Sequence, residues 1–290
     1  MKIVLGSNPY RDRGLRAAME ARRVLESAGA QTVICLPFQP KKGDRLELPR
    51  QVALSVLEKE LPSADLLICF GGDGTILHAA RDATLHGVPI LGVNMGSVGF
   101  MAELERSELG MLAPLSHGVY RVEERMMLDV RVRRGEKEIF QDLSLNDAVI
   151  SKGSMARVAE VEILADHMKV ASIMGDGVIV ATPTGSTAYS MSAGGPIVEP
   201  TSRCMIVTPI CAHQLAARAM VLDSDRVMTI RVPRAMRKYL YLSVDGGKAI
   251  RLSSGDCVEI KRSIHSTHLA RLTDRSFYQI INQKLGGIAP

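Results

Sequence analysis

Leu66 to Phe70, LLICF, is an unbroken apolar run that ends at Gly71-Gly72-Asp73-Gly74-Thr75, and a helical period follows. A strand with no polar face is covered on both sides. That condition is met in a parallel sheet flanked by helices. The preceding residues fit the same plan. KIVLGS (2–7) reads as a first strand, and Ala18, Ala21, Leu25 and Ala28 form one helical face that stops at Gly29. QTVICLP (31–37) reads as a second strand, residues 38–49 as a surface loop and residues 50–60 as a helix. VPILGVN (88–94) closes a β-α-β-α-β-α-β order, the signature of a doubly wound α/β domain with right-handed crossovers.

Near residue 125 the pattern changes to short alternating segments: 128–134, 137–143, 145–151, 158–165, 178–182, 227–232, 240–246 and 256–262. Turns carrying Gly, Asp or Ser separate several of them, which predicts a mostly antiparallel β domain. One helix is expected after Gly185, and Thr273 to Leu285 has helical period. The resulting division is an α/β domain over 1–123, a β domain over 124–270, and a C-terminal helix in 271–290 that returns to the first domain. A chain of 290 residues, 46% hydrophobic, can bury cores for two domains.

Charge and composition narrow the function classes. The formal net charge is +5, but basic residues are dispersed and aromatic residues make up only 4%, which argues against a nucleic-acid interface. A modest positive field suits a small anionic ligand. The five cysteines (Cys35, Cys69, Cys204, Cys211, Cys257) form no CxxC, so reduced thiols in a cytoplasmic protein and no zinc site are expected. Met1-Lys2 leads straight into a strand, and no apolar run approaches the roughly 20 residues that span a membrane.

Three stretches are suited to chemistry. In Gly71–Thr75 the glycines let the backbone approach a ligand, and the following helix start favours phosphate. Asp73 is out of place in a pure phosphate loop, because like charges repel. It fits as a base toward a hydroxyl, as a magnesium contact, or as a cap on the helix. The loop lacks the Gly-Lys-Ser/Thr of a Walker A motif. Asn146-Asp147 pairs an amide with an acid, which suits ribose hydroxyls or an adenine edge and is also common in turns. Residues 175–196 place Ser186, Thr187, Tyr189, Ser190 and Ser192 among small residues, offering hydroxyls and backbone donors to a polar ligand.

Taken together, GGDGT (71–75), NMGSVGF (94–100), EERMML (123–128), LNDAV (145–149), DGVIVATPTGSTAYSMSAGGP (176–196), TPICAH (208–213) and VDG (244–246) make the chain resemble the NAD kinase family over nearly its whole length. The resemblance implies transfer of the terminal phosphoryl group of ATP, or of polyphosphate, to the 2′-hydroxyl of the adenosine ribose of NAD, with Mg²⁺ or another divalent cation. It implies Asp73 as the catalytic residue and the metal contact, with Gly71, Gly72, Gly74 and Thr75 forming the phosphate-donor loop. For NAD it implies contacts from Gly74, His78, Phe100, Asn146, Asp147, Arg157, Asp176, Thr187, Ala188, Tyr189, Ser190, Met191, Ser192 and Cys211. A homodimer or homotetramer is implied as well, with neither nucleic acid nor membrane as partner.

The chain departs from the family pattern in places. Asp147 stands where many members have Glu, Met174 where some carry a basic residue, and Gly247 where a glutamine is usual. His167 and His213 are weaker candidates for a general base. Two other readings compete. A lipid or sugar kinase would keep GGDGT without needing TPTGSTAYS, and a nucleotide sensor would keep the pocket and lose turnover. The sequence leaves open the use of NADH, the choice between ATP and polyphosphate, the assembly size and feedback by product.

Overall fold

The computed structural model describes residues 1–290 except 39, 41, 42, 50, 51, 97, 98, 154–157, 215, 234–238 and 287–290. The chain divides into two compact units, Met1–Glu124 with Thr267–Pro290, and Arg125–Ser266.

The first unit is the expected α/β fold. Its elements run β1 (Lys2–Ser7), α1 (Arg16–Ser27), β2 (Gln31–Leu36), β3 (Leu54–Val56), α2 (Leu57–Glu60), β4 (Leu66–Gly71), α3 (Asp73–Leu85), β5 (Ile90–Asn94) and β6 (Leu104–Glu105). All pairings among these strands are parallel, in the order β3-β2-β1-β4-β5-β6. The apolar run behaves as its composition requires, with every residue of β4 buried. Helix α1 buries Ala17, Ala18, Ala21 and Leu25 against the sheet. The chain leaves β1 toward β2 on one side and β4 toward β5 on the other. With right-handed crossovers, α1 and α3 therefore cover opposite faces. The point between β1 and β4 is where such sheets open a crevice at their carboxyl ends.

The helix expected over 50–60 is a correction. Residues 50 and 51 lie outside the described residues. Leu54–Val56 is an edge strand in register with Ile34–Leu36, and only Leu57–Glu60 is helical. Leu54 and Val56 are exposed on that edge, and strand pairing decides the conformation there.

The second unit begins within β7 (Arg121–Arg134) and continues through β8 (Lys137–Ser144), β9 (Asp147–Lys152), β10 (Ala159–Ala165), β11 (Met168–Gly175) and β12 (Gly177–Ala181). After the short helix α4 (Tyr189–Ser192) come β13 (Cys204–Ile210), β14 (Met220–Asp223), β15 (Met228–Arg231), β16 (Leu240–Val244), β17 (Ile250–Leu252) and β18 (Cys257–Arg271). One sheet runs β14-β13-β12-β9-β16-β17, antiparallel throughout. The strands β11-β10-β15-β18 form a second antiparallel run. Val130, Ile150, Val161, Val178, Val207, Ile230, Leu242 and Val258 belong to one buried cluster, the interior of a sandwich.

Strands β11, β13, β14 and β17 lie outside the segments that sequence alternation identifies. The tail helix is shorter than its period suggested. Helix α5 (Phe277–Leu285) starts at a capping box, in which the Ser276 hydroxyl accepts from Gln279 N at 3.3 Å and Gln279 Oε1 accepts from Ser276 N at 2.8 Å. It packs back on the first unit, with the Phe277 ring 6.4 Å from that of Phe100. Among the described residues, no helix is long and apolar enough to cross a membrane.

Candidate functional site

In the first unit the glycine loop joins β4 to α3 at the carboxyl edge of the sheet. Gly71 ends the strand, Gly72 is the cap position of α3 and Asp73 is its first residue. No side chain caps α3, so Asp73 is not held by its own helix. Its carboxylate instead accepts two backbone N–H bonds from the segment after β5: Phe100 N to Oδ2 at 2.8 Å and Met101 N to Oδ1 at 3.2 Å. The approach depends on Gly99, where an added Cβ would overlap Asp73 Oδ1. Asn94 organises the start of that segment, with its amide on both oxygens of Glu105 at 2.9 and 3.1 Å.

A carboxylate offers about four acceptor positions. Two are committed to backbone, and Asp73 is only half-buried, so acceptor capacity remains. Gly74 is exposed, and Thr75 is buried with its hydroxyl accepting from Asn8 Nδ2 at 3.1 Å. His78 lies on the exposed face of α3, its ring 5.4 Å from that of Phe38. Phe100 is half-buried, covered by Phe277 and by Lys284, whose Nζ sits 4.1 Å from the ring centroid. Cys69, inside β4, is fully buried, and desolvation raises its thiol to about 12, so it is inert.

In the second unit the Asn146-Asp147 pair lies where three neighbouring strands reach one edge. Asp147 opens β9, opposite Ala181 at the end of β12, and Ala148 lies opposite Val244 at the end of β16. The residue after β16 is Asp245, whose carboxylate accepts from three consecutive N–H groups: Leu145 at 2.7 Å, Asn146 at 2.8 Å and Asp147 at 2.9 Å. The Ser144 hydroxyl adds a fourth bond at 2.6 Å. Thr182 completes the frame. Its N–H donates to Asn146 O at 2.8 Å, and its hydroxyl donates to Leu145 O at 2.5 Å.

This frame leaves two side chains with unusual properties. Asn146 Oδ1 is the one buried side-chain polar atom among the described residues without a hydrogen-bond partner. Such an atom costs about 1–3 kcal/mol unless a donor arrives. Asp147 is 5% exposed, and its carboxyl is pushed up to about 7, first by burial and then by the Asp245 charge. Near neutral pH it both donates and accepts. An orphan acceptor beside such a group suits a ligand edge that alternates donor and acceptor, as a base or a sugar diol does.

The segment after β12 is drawn onto the same edge. Gly185 N donates to Thr182 Oγ1 at 3.1 Å, and a Cβ at Gly185 would overlap the Asn146 carbonyl. Thr187, Ala188 and Met191 are half-buried, while Tyr189, 46% exposed, and Ser192 face outward. Ser190 is fully buried with its hydroxyl paired to Thr208 at 2.8 Å, and Ser186 is likewise tied to Val198. These two hydroxyls are structural within this chain. Asp176 pairs with Lys152 at 2.6 Å. Exposed Cys211 sits in a left-handed turn at φ 45°. Met174 and Gly247 form backbone bonds, the first accepting from His213 N and the second donating to Val244 O. Arg157 lies outside the described residues.

Sequence reasoning named the Asn146-Asp147 pair and the VDG motif, but it did not see that Asp245 builds the frame around that pair. It also passed over Arg125, which is 3% exposed and whose Nη1 donates to Thr184 Oγ1 at 3.2 Å. The motif EERMML was the available signal. No group of three or more His, Cys, Asp or Glu is placed to hold a metal among the described residues.

Comparisons with known proteins bear on the whole chain. Residues 14–117 match the model of the ATP-NAD kinase N-terminal domain, and residues 145–272 that of the ATP-NAD kinase C-terminal domain. An NAD kinase of Natranaerobius thermophilus is 44% identical over 225 residues, covering 77% of this chain and 78% of that one. An NAD kinase of Symbiobacterium thermophilum is 40% identical over 290 residues, 99% of each chain. Among solved structures, yeast NADH kinase complexed with NADH superposes with a TM-score of 0.84 at 24% identity, covering 99% of this chain and 87% of that one, a likeness of fold.

Proposed function

The chain belongs to the NAD kinase family and is a phosphotransferase of that family, and on this premise we propose that it transfers the terminal phosphoryl group of ATP to the 2′-hydroxyl of the adenosine ribose of NAD. One observation carries the chemistry. Asp73 stands at the head of α3 yet spends its carboxylate on Phe100 N–H and Met101 N–H, which fixes it in place with acceptor capacity to spare.

Phosphoryl transfer has a loose transition state with charge spread over oxygens, so the protein mainly positions groups and neutralises charge. The ribose hydroxyl is a weak acid. In this reading Asp73 accepts a hydrogen bond from it, orients it toward phosphorus, and takes its proton late. Such a positioned group contributes about 10²–10⁴-fold. Gly71, Gly72, Gly74 and Thr75 form the donor-phosphate loop, where backbone N–H groups meet anionic oxygens.

Asn146 and Asp147 hold the adenosine ribose or the adenine. The orphan Oδ1 of Asn146 and the raised carboxyl of Asp147 support that assignment. Gly74, Phe100, Arg157, Asp176, Thr187, Ala188, Tyr189, Met191, Ser192 and Cys211 complete the dinucleotide contacts in the reading. Ser190 acts through its buried bond to Thr208.

A divalent cation fits the donor set. Magnesium is commonly held by one or two carboxylates together with substrate phosphates, and Asp73 is the loop's carboxylate. When bound, the ion neutralises phosphate charge. A homodimer or homotetramer in the cytoplasm belongs to the same proposal, supported by family membership alone.

The test is an incubation of purified protein with NAD, MgCl₂ and either ATP or polyphosphate, read by a dehydrogenase specific for NADP. NADP formation is the expected result. Polyphosphate as the effective donor would change the donor and keep the acceptor. NAD binding without product would remove the enzyme reading.

A further inference from the structure

The first unit carries an aromatic and basic cluster in which Tyr10, Phe38 and Arg11 have no role above and His78 has only the NAD contact that the resemblance implies. Tyr10 follows β1, Phe38 follows β2, and His78 sits on the second turn of α3. The Tyr10 and Phe38 rings stack with centroids 5.9 Å apart and planes 13° from parallel, and His78 tilts against Phe38 at 5.4 Å. The Tyr10 hydroxyl donates to Asp44 Oδ2, which ties the loop after β2 to the loop after β1. Tyr10 is 44% exposed, and His78 is exposed as well. The three rings thus form a column with exposed ends.

Its position suggests a use. The column stands past the carboxyl ends of β1 and β2 and beside the first turns of α3, which follows β4. There Asn8 joins the two loops through Phe70 O at 3.0 Å and Thr75 Oγ1 at 3.1 Å. Arg11 belongs to the same loop as Tyr10. Its Nη1 lies 3.8 Å from where a Cβ on Gly96 would stand, and it makes no ion pair among the described residues. Aromatic faces, a guanidinium and a glycine phosphate loop within one unit match the parts of a nucleoside triphosphate: base, polyphosphate and transferring end.

Resting on the proposed function, we propose that the base of the nucleoside triphosphate donor stacks on the Tyr10–Phe38–His78 column, with Arg11 binding the donor's phosphates. His78 then serves the donor, in place of the NAD contact that the resemblance implies. Stacking tolerates different bases, so the site selects a nucleotide over inorganic polyphosphate without choosing strongly among bases.

The experiment uses the full-length protein and the variants Tyr10→Ala, His78→Ala and Arg11→Gln. Steady-state kinetics are recorded with ATP and NAD varied in turn, and inorganic tripolyphosphate is titrated as a competitor of ATP. Tyr10→Ala is expected to raise KM for ATP about 5- to 150-fold, the span of stacking energies, and to leave KM for NAD and the tripolyphosphate inhibition constant within about twofold. Arg11→Gln is expected to raise both the KM for ATP and the tripolyphosphate constant. An unmoved KM for ATP in Tyr10→Ala and His78→Ala overturns the proposal. So does a parallel rise in KM for NAD, which would place the other substrate there. If no donor yields NADP, the function reading has failed, and calorimetric binding of ATP against tripolyphosphate to the same variants still decides the column.

Discussion

Asp73 and Asp245 are both carboxylates that accept backbone N–H bonds from another segment of their own unit, and they differ in how much of the carboxylate is left. Asp73 receives two bonds and stays half-buried just past the carboxyl end of β4. Asp245 receives three backbone bonds and a hydroxyl, and burial raises its carboxyl above its usual range against those four donors. The first is fixed but unsaturated, which is the condition for chemistry. The second is saturated, which is the condition for building a frame. The number of donors around a carboxylate separates the two roles.

Short of replacing Asp73 itself, moving the unsaturated carboxylate gives the largest expected effect. In Gly99→Ala the new methyl needs the space of Asp73 Oδ1. A displacement near 1 Å of a positioned group costs about 10²-fold, so turnover is expected to fall by that order with KM for NAD nearly unchanged. Full turnover in Gly99→Ala would mean that Asp73 does not need its present position.

Asp245→Asn tests the saturated carboxylate. One oxygen becomes an NH₂ facing N–H donors, which leaves buried groups unpaired at about 2–3 kcal/mol. Tm is expected to fall by about 4–12 °C, and KM for NAD to rise at least tenfold as the Asn146-Asp147 segment loosens. Steady-state kinetics and thermal melts read the two effects. Loss of turnover at unchanged Tm and KM would instead make Asp245 a chemical group.

Asp147 lies between the two in character, and pH exposes it. Its folded carboxyl titrates near 7, against an ordinary value of 3.8. Between those values the folded protein holds a proton that the unfolded chain has released, so its contribution to stability falls as pH rises through that window and levels off above about 7. Asp147→Asn removes this slope. The Tm difference between pH 5 and pH 8 is expected to shrink by a few degrees relative to wild type, and KM for NAD is expected to lose its dependence on pH near 7. An unchanged slope would place the titration elsewhere.

The smallest effect is expected at a carboxylate with no backbone donor. Glu26 accepts only from the side chains of Arg22 at 2.8 Å and Thr32 at 2.7 Å, on an exposed helix face. Glu26→Gln is expected to change stability by less than about 0.5 kcal/mol in denaturant titration and turnover not at all.

These effects follow what the sequence could and could not reveal. Leu66–Phe70, the α1 face and the glycine loop were legible because local period and composition decide them. Residues 54–56 misled because an edge strand obeys its neighbour β2. Strand β13 was missed because Pro209 breaks the pattern of a strand, although it pairs with Val178 inside the sheet. Asn146 and Asp147 were legible as a motif. Their frame was not, because Asp245 reaches them across about a hundred residues of chain. Tyr10, Phe38 and His78 come together only through the sheet order, which no local pattern encodes.

The most direct measurement compares Asp73→Asn with the wild-type protein for NADP formation from ATP, magnesium and NAD, alongside the dissociation constant for NAD. If Asp73 is the catalytic carboxylate, turnover falls about 10²–10⁴-fold, with NAD affinity within a few-fold of wild type. Turnover close to wild type would contradict it and remove Asp73 from the reaction.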